Sequence, residues 1–151
     1  MIKLITPLSQ VDTSAKFTLG TQTMDKEGNV YIYMTGVAST IVGSWVTYDE
    51  LYITTLLVAN ASGPVAVSMG INVASTYGWY QILGKAQACT AADCADNAPL
   101  GFETTSGYAG DGRAAGDMIY GAISRQGTAG GAAAVKTVQI WFPFCTDGAT
   151  V

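Results

Sequence analysis

"TYGWYQILGKA", Thr76 to Ala86, sets Tyr77, Trp79 and Tyr80 around one glycine and closes near a second. How this run is read decides the fold. In a strand, Tyr77, Trp79, Gln81 and Leu83 share one face, while Gly78, Tyr80 and Ile82 share the other. A platform for stacking bases or sugars would present aromatic rings on one face, with basic or amide residues between them. Here each face mixes an aromatic ring with aliphatic side chains, and the only nearby cation, Lys85, lies beyond Gly84. A strand buried on both faces explains the pattern more simply, with Gly78 leaving room for a close neighbour.

The same two-residue period runs outward from it. Phe17–Met24, Val30–Gly36, Ser44–Val58, Pro64–Ile71 and Val135–Phe144 are rich in β-branched and aromatic residues, which suit a pleated, half-buried surface. "DKEGN" (Asp25–Asn29) joins the first two runs as a hairpin turn, and Asp49-Glu50 reads as the turn between "SWVTY" and "LYITTLL". No stretch keeps helical spacing for three turns; "AQACTAADCAD" has room for one short helix at most. The expected fold is all-β: a single small β-barrel or β-sandwich of short antiparallel strands over residues 17–151. Residues 1–16, with weak periodicity and Pro7, read as an extended N-terminal arm. "GYAGDGRAAGD" (Gly107–Asp117) and "GTAGGAAA" (Gly127–Ala134) read as small-residue loops with little to pack.

Composition narrows function mainly by exclusion. The 151 residues are one domain's worth, and 49% hydrophobic with 12% charged is too apolar for disorder. So few charges leave a surface that is neutral or covered by a partner, which points to an assembly subunit. The net charge is −4 and the seven Lys and Arg residues are scattered, so nucleic-acid binding lacks its electrostatic footprint. No apolar run approaches the roughly 20 residues of a spanning helix, which argues against a membrane. The opening "MIKLITPLSQVDTS" has no long apolar region and is unlike a signal peptide.

Catalytic constellations are hard to assemble from this chain. It has no histidine, the usual general base and the commonest metal ligand, and no nucleophile-elbow pattern. Cys89, Cys94 and Cys145 cannot all pair within one chain. Cys89 and Cys94 bracket "TAAD" closely enough for a loop disulfide in an oxidising setting, and in a reducing one all three stay thiols. "DCADN" (Asp93–Asn97) and "DGRAAGD" (Asp111–Asp117) gather acidic oxygens but match no calcium loop, so they read as solvated turns. A distant carboxylate pair such as Asp49 and Glu103 has nothing in the sequence to recommend it. The expectation is a protein that is not an enzyme and holds no cofactor or metal.

"VGSWVTYDE" (Val42–Glu50), "YGWYQILGKA" (Tyr77–Ala86), "APLGFETTSGYAG" (Ala98–Gly110) and "DMIYGAISRQG" (Asp117–Gly127) follow one another in a recognisable order. In that order the chain resembles the capsid decoration, or cement, proteins of tailed bacteriophages, over about residues 17 to 144. The resemblance implies a non-enzymatic protein of the virion's outer surface, made in the host cytoplasm. It would bind the major capsid protein, as a homotrimer at local three-fold positions, with an arm reaching neighbouring subunits. Ile2, Leu4, Ile5, Leu8 and Val11 are the arm residues expected to touch the capsid, by strand addition to a sheet edge. Trp45, Trp79 and Trp141 are expected in the core or at the subunit interface. The cysteines depart from the pattern of many such proteins. Two rival classes remain: a carbohydrate- or receptor-binding module of a virion fibre, with Tyr31, Tyr33, Trp45 or Trp79 stacking on sugars, and a small hydrolase with a carboxylate pair.

Overall fold

A computed structural model describes residues 7–112, 117–127 and 131–148. They form ten strands and, among the described residues, no helix. The strands are β1 (Gln22–Met24), β2 (Val30–Thr35), β3 (Trp45–Tyr48), β4 (Thr54–Leu56), β5 (Gly63–Ser68), β6 (Tyr77–Thr90), β7 (Pro99–Phe102), β8 (Ala109–Gly110), β9 (Met118–Ser124) and β10 (Ala134–Thr146). Their order is β1-β2-β6-β8-β7-β9-β10-β5-β3-β4, and further β6–β10 and β6–β5 pairings make this one sheet close on itself. The all-β, barrel-like small domain expected from the sequence is what forms.

The strands are not all short. β6 runs for 14 residues and β10 for 13, because each bends and serves two parts of the sheet. Upstream of Gly84, β6 pairs with β2 (Tyr33↔Trp79) and β5 (Val67↔Gln81); downstream it pairs with β10 (Lys85↔Gln139). Gly84 takes φ +104° at the bend, and a Cβ there would collide with the Asn29 side chain. Two amides hold the bend: Gln81 Nε2 donates to the Leu83 and Lys85 carbonyls (both 3.0 Å), and Asn29 Oδ1 accepts the Lys85 N–H (3.0 Å). Pairing with β10 also explains why "AQAC" is strand rather than the short helix allowed for it. Ala86 and Ala88 face the core and Gln87 faces out, so tertiary packing overrides alanine's helix propensity.

Both faces of the Tyr77–Leu83 half of β6 are covered. Tyr80 and Ile82 join Val30, Ile32, Met34, Val46 and Ala66 in one cluster; Trp79 joins Tyr31 and Tyr33 in another. Gly78 leaves the space that the buried Asn72 side chain occupies. A third cluster, with Trp45, Leu100, Ile119, Val138 and Ile140, fills the barrel interior, where Trp45 Nε1 donates to the Cys89 carbonyl (3.0 Å). The opening run is therefore a core strand and not a stacking platform.

What covers the Trp79 face comes from the N-terminal segment. Leu8, Phe17 and Leu19 pack on Tyr31, Tyr33 and Trp79, with Phe17 5.4 Å from the Trp79 ring and 5.2 Å from Tyr33. Asp12 exchanges both backbone hydrogen bonds with Tyr77 (2.8 Å each). Its buried carboxylate accepts the Tyr33 hydroxyl (2.7 Å) and pairs with Lys16 (2.8 Å). The sequence reading kept all of residues 1–16 outside the core. From Leu8 onward that segment is instead docked on its own domain, because a buried aromatic face on β2 and β6 needs a lid and Asp12 finds a hydroxyl partner there.

Burial makes two tyrosines alkaline sensors of the fold. Burial, reinforced by the Asp12 hydrogen bond, pushes the Tyr33 phenol up to about 12, and burial pushes Tyr80 up to about 12 as well. An unfolded tyrosine titrates at about 10, so the folded state holds these protons more tightly. That stabilisation is complete below pH ~10 and is lost as pH rises through the folded values. The urea midpoint should hold steady to pH ~9.5 and then fall towards pH ~12, more gently in Tyr33→Phe. A midpoint flat across that window would refute the assignment.

Candidate functional site

Exposed aliphatic side chains such as Leu51, Ile53 and Ile71 are spread over the surface, but the exposed aromatic ones among the described residues, Tyr120, Trp141, Phe142 and Phe144, all lie on β9 and β10. Their register runs Ile140↔Ala122 and then jumps to Phe144↔Tyr120, so β10 carries extra residues that β9 does not oppose. "WFPF" explains the irregularity: Pro143 has no N–H for the ladder, and prolines within sheets collect at edges and bulges. Phe142 takes φ +44°, a left-handed backbone that is strained for a bulky residue. Opposite it, Gly121 (φ +74°) leaves room for the Trp141 carbonyl, which would lie 2.6 Å from a Cβ.

Flanking residues lock the bulge in place. Ile140, Pro143 and Cys145 are buried, and between them Trp141 is 45% exposed, Phe142 61% and Phe144 44%, with Tyr120 at 53% beside Phe144. Single exposed apolar residues are ordinary on a protein surface; adjacent aromatic rings raised on a strained backbone are not. The arrangement offers a dry contact ridge and no catalytic group. Tyr120, Phe142 and Phe144 were not singled out by the sequence reading. The signal for Phe142 and Phe144 was the run "IWFPF", apolar at consecutive positions where a half-buried strand alternates, with a proline inside it; Tyr120 in "MIYGAIS" carries no such mark.

Of the residues expected at a functional site, Trp45 and Trp79 are buried core and Trp141 is exposed. Leu8 and Val11 lie half-buried against their own domain, and Ile2, Leu4 and Ile5 fall outside the described residues. Tyr31, Tyr33, Trp45 and Trp79 are too buried to stack on a sugar, which corrects that part of the fibre-module reading. Gly107–Gly110 is less loose than its composition implied. The Gly107 N–H donates to the Leu57 carbonyl (2.8 Å), its carbonyl accepts from Trp45 N–H (2.9 Å), and Ala109-Gly110 pair as β8.

The acidic residues do not converge on a reacting group. Asp49 Oδ1 accepts the Leu51 and Ile53 N–H groups (2.9 Å each), the ordinary work of a turn residue. Asp93, Glu103 and Asp111 border an open cavity of about 430 Å³. Burial, with Asp111 adding repulsion, pushes the Glu103 carboxyl up, whereas Asp111 Oδ2 is engaged by the Ala95 N–H (2.8 Å). Among the described residues no three His, Cys, Asp or Glu groups are placed to hold a metal ion. All three cysteines are buried thiols. Burial raises each of them, Cys145 up to about 11, which keeps them protonated and poorly nucleophilic at neutral pH.

The fold and this face define a small, closed β domain with a solvent-facing aromatic ridge. No protein-family model matches the chain, and no significant match appears among curated proteins or solved structures.

Proposed function

We propose that this chain is a non-enzymatic assembly protein that docks through the β9–β10 ridge, and that it acts as a capsid decoration protein of a tailed phage. The observation that carries the docking is the ridge itself: Phe142 and Phe144 exposed on the bulged end of β10, with the exposed Tyr120 paired to Phe144 across from it on β9. Aromatic side chains are over-represented among the residues that dominate binding energy, and a strained backbone persists where a fixed presentation is useful. The three half-exposed rings offer on the order of 300 Å². A stable interface needs about 800 Å² per partner, so the ridge is its apolar centre and the neutral surface around it the rim.

The capsid as partner is supported by the resemblance carried by Val42–Glu50, Tyr77–Ala86, Ala98–Gly110 and Asp117–Gly127, and by a composition with few charges. In this reading the protein sits on the outer surface of the virion as a homotrimer and bridges major capsid protein subunits. Binding only the assembled shell stabilises it by mass action, and many copies multiply the effect. The test is co-sedimentation with shells assembled from the major capsid protein of the genome that encodes this chain, with the mass of the free protein measured in parallel. Wild type should pellet with the shells, and the double variant Phe142→Ala, Phe144→Ala should lose at least ~10-fold in affinity while keeping its circular dichroism. Equal pelleting of both proteins would remove the ridge from the contact, and no pelleting of wild type would end the capsid reading.

A further inference from the structure

Between the β1–β2 turn and the bulged end of β10 the surface dips into an open concavity of about 520 Å³. Glu27, Lys85, Gln139 and Trp141 line it with side chains that reach solvent, and Gly28, Asn29, Leu83 and Gly84 complete it. Its size is within the roughly 300–1,000 Å³ of small-molecule sites. We propose that this concavity binds the pyranose ring of a neutral polysaccharide. This inference does not depend on the capsid reading.

The lining is built and cannot collapse. Asn29, buried within it, accepts the Lys85 N–H (3.0 Å) and donates from Nδ2 to Asp25 Oδ2 (2.8 Å). Asp25 Oδ1 accepts the Glu27 and Asn29 N–H groups (2.9 and 3.0 Å), and Oδ2 also accepts the Tyr31 hydroxyl (2.9 Å). From the far side, Gln81 clamps the β6 bend through the Leu83 and Lys85 carbonyls. The side chain of Asn29 occupies the space a Cβ at Gly84 would need, which is why glycine stands at that point of the lining.

The lining side chains carry uncommitted chemistry. Lys85 and Gln139 are cross-strand partners, and Trp141 stands two residues along β10 from Gln139, so all three rise from one face of the sheet. Among the described residues, no ion pair engages Glu27 or Lys85, and the side chains of Glu27, Lys85 and Gln139 make no hydrogen bond; the bonds from neighbouring side chains to Glu27 and Lys85 are to their backbones. One carboxylate and one ammonium cancel, so an anionic ligand would meet Glu27 and a cationic one Lys85. A neutral sugar meets neither penalty. Its C–H face suits the indole of Trp141, and its hydroxyls both donate and accept. They can accept from Lys85, donate to Glu27 and do either with Gln139.

Cellohexaose, maltohexaose and the hexamer of N-acetylglucosamine, each titrated to about 10 mM, test this by tryptophan emission and heteronuclear NMR shifts. Trp45 and Trp79 are buried, so an emission change on binding reports Trp141. At least one oligosaccharide should bind wild type with submillimolar Kd, weaken ~10-fold or more in Trp141→Ala and about 5-fold in Gln139→Ala, and bind Phe142→Ala unchanged. Circular dichroism confirms that each variant is folded. No response to any of the three, binding that survives Trp141→Ala, or binding of a heparin hexasaccharide alone would each overturn the proposal. Failure here leaves shell co-sedimentation untouched, and failure of that assay in Phe142→Ala, Phe144→Ala leaves the sugar titration untouched.

Discussion

Trp79→Ala should lower stability by about 3–5 kcal/mol, whereas Trp141→Ala should change it by less than ~1 kcal/mol. The two residues are the same chemically and both lie on strands; burial separates them. Trp79 is 1% exposed and sits between Phe17 and Tyr33, with ring centroids 5.4 and 5.2 Å away. Truncating it removes the apolar transfer energy and leaves a cavity that two neighbouring rings on separate strands or segments can close only in part. Trp141 is nearly half exposed on the bulge, and its loss opens no enclosed space. Urea denaturation followed by far-ultraviolet circular dichroism measures both. A Trp79→Ala midpoint within error of wild type would mean that the Tyr31–Tyr33–Trp79 cluster does not hold the domain together. A large loss in Trp141→Ala would mean that the ridge is structural and not a contact surface.

The contrast shows which parts of this molecule could be read from its sequence. The two-residue alternation of Tyr77–Leu83 and Val30–Gly36 is local, so core strands and the "DKEGN" hairpin were legible. The bends were not. Gly84 kinks because Asn29, far earlier in the chain, puts its amide where a side chain would go, and no local pattern announces that partner. The ridge failed for a different reason. "IWFPF" reads as a well-packed core strand until β9 is known to oppose it with too few residues, after which its rings have nowhere to go but out. Asp12 is the hardest case: in "SQVDTSAK" it looks like any solvated turn acid, and only Tyr33 across the fold makes it a buried anchor.

That anchor decides where the N-terminus can be cut. Removing residues 1–6 should leave the unfolding free energy from urea denaturation unchanged to within ~0.5 kcal/mol, while removing residues 1–16 should cost on the order of 4 kcal/mol. The larger deletion takes away the two Asp12–Tyr77 backbone hydrogen bonds and the charge-assisted bond from Tyr33. At roughly 1 kcal/mol for each of the former and about 1.5–3 for the latter, these account for most of the loss. The half-buried Leu8 supplies the rest by leaving the Tyr31–Tyr33–Trp79 face partly wet. Trp79 emission should shift to longer wavelength in the native state of the larger deletion and not in the smaller. Asp12→Asn keeps the backbone bonds and weakens only the carboxylate contacts, so it should fall between the two. If the larger deletion unfolds at the wild-type midpoint, the segment from Leu8 to Lys16 is not a lid, and an arm free to reach a neighbouring subunit would extend as far as residue 16. If it is destabilised as stated, Leu8 to Lys16 belong to the folded domain, and shell binding that survives removal of residues 1–6 places the whole attachment on that domain.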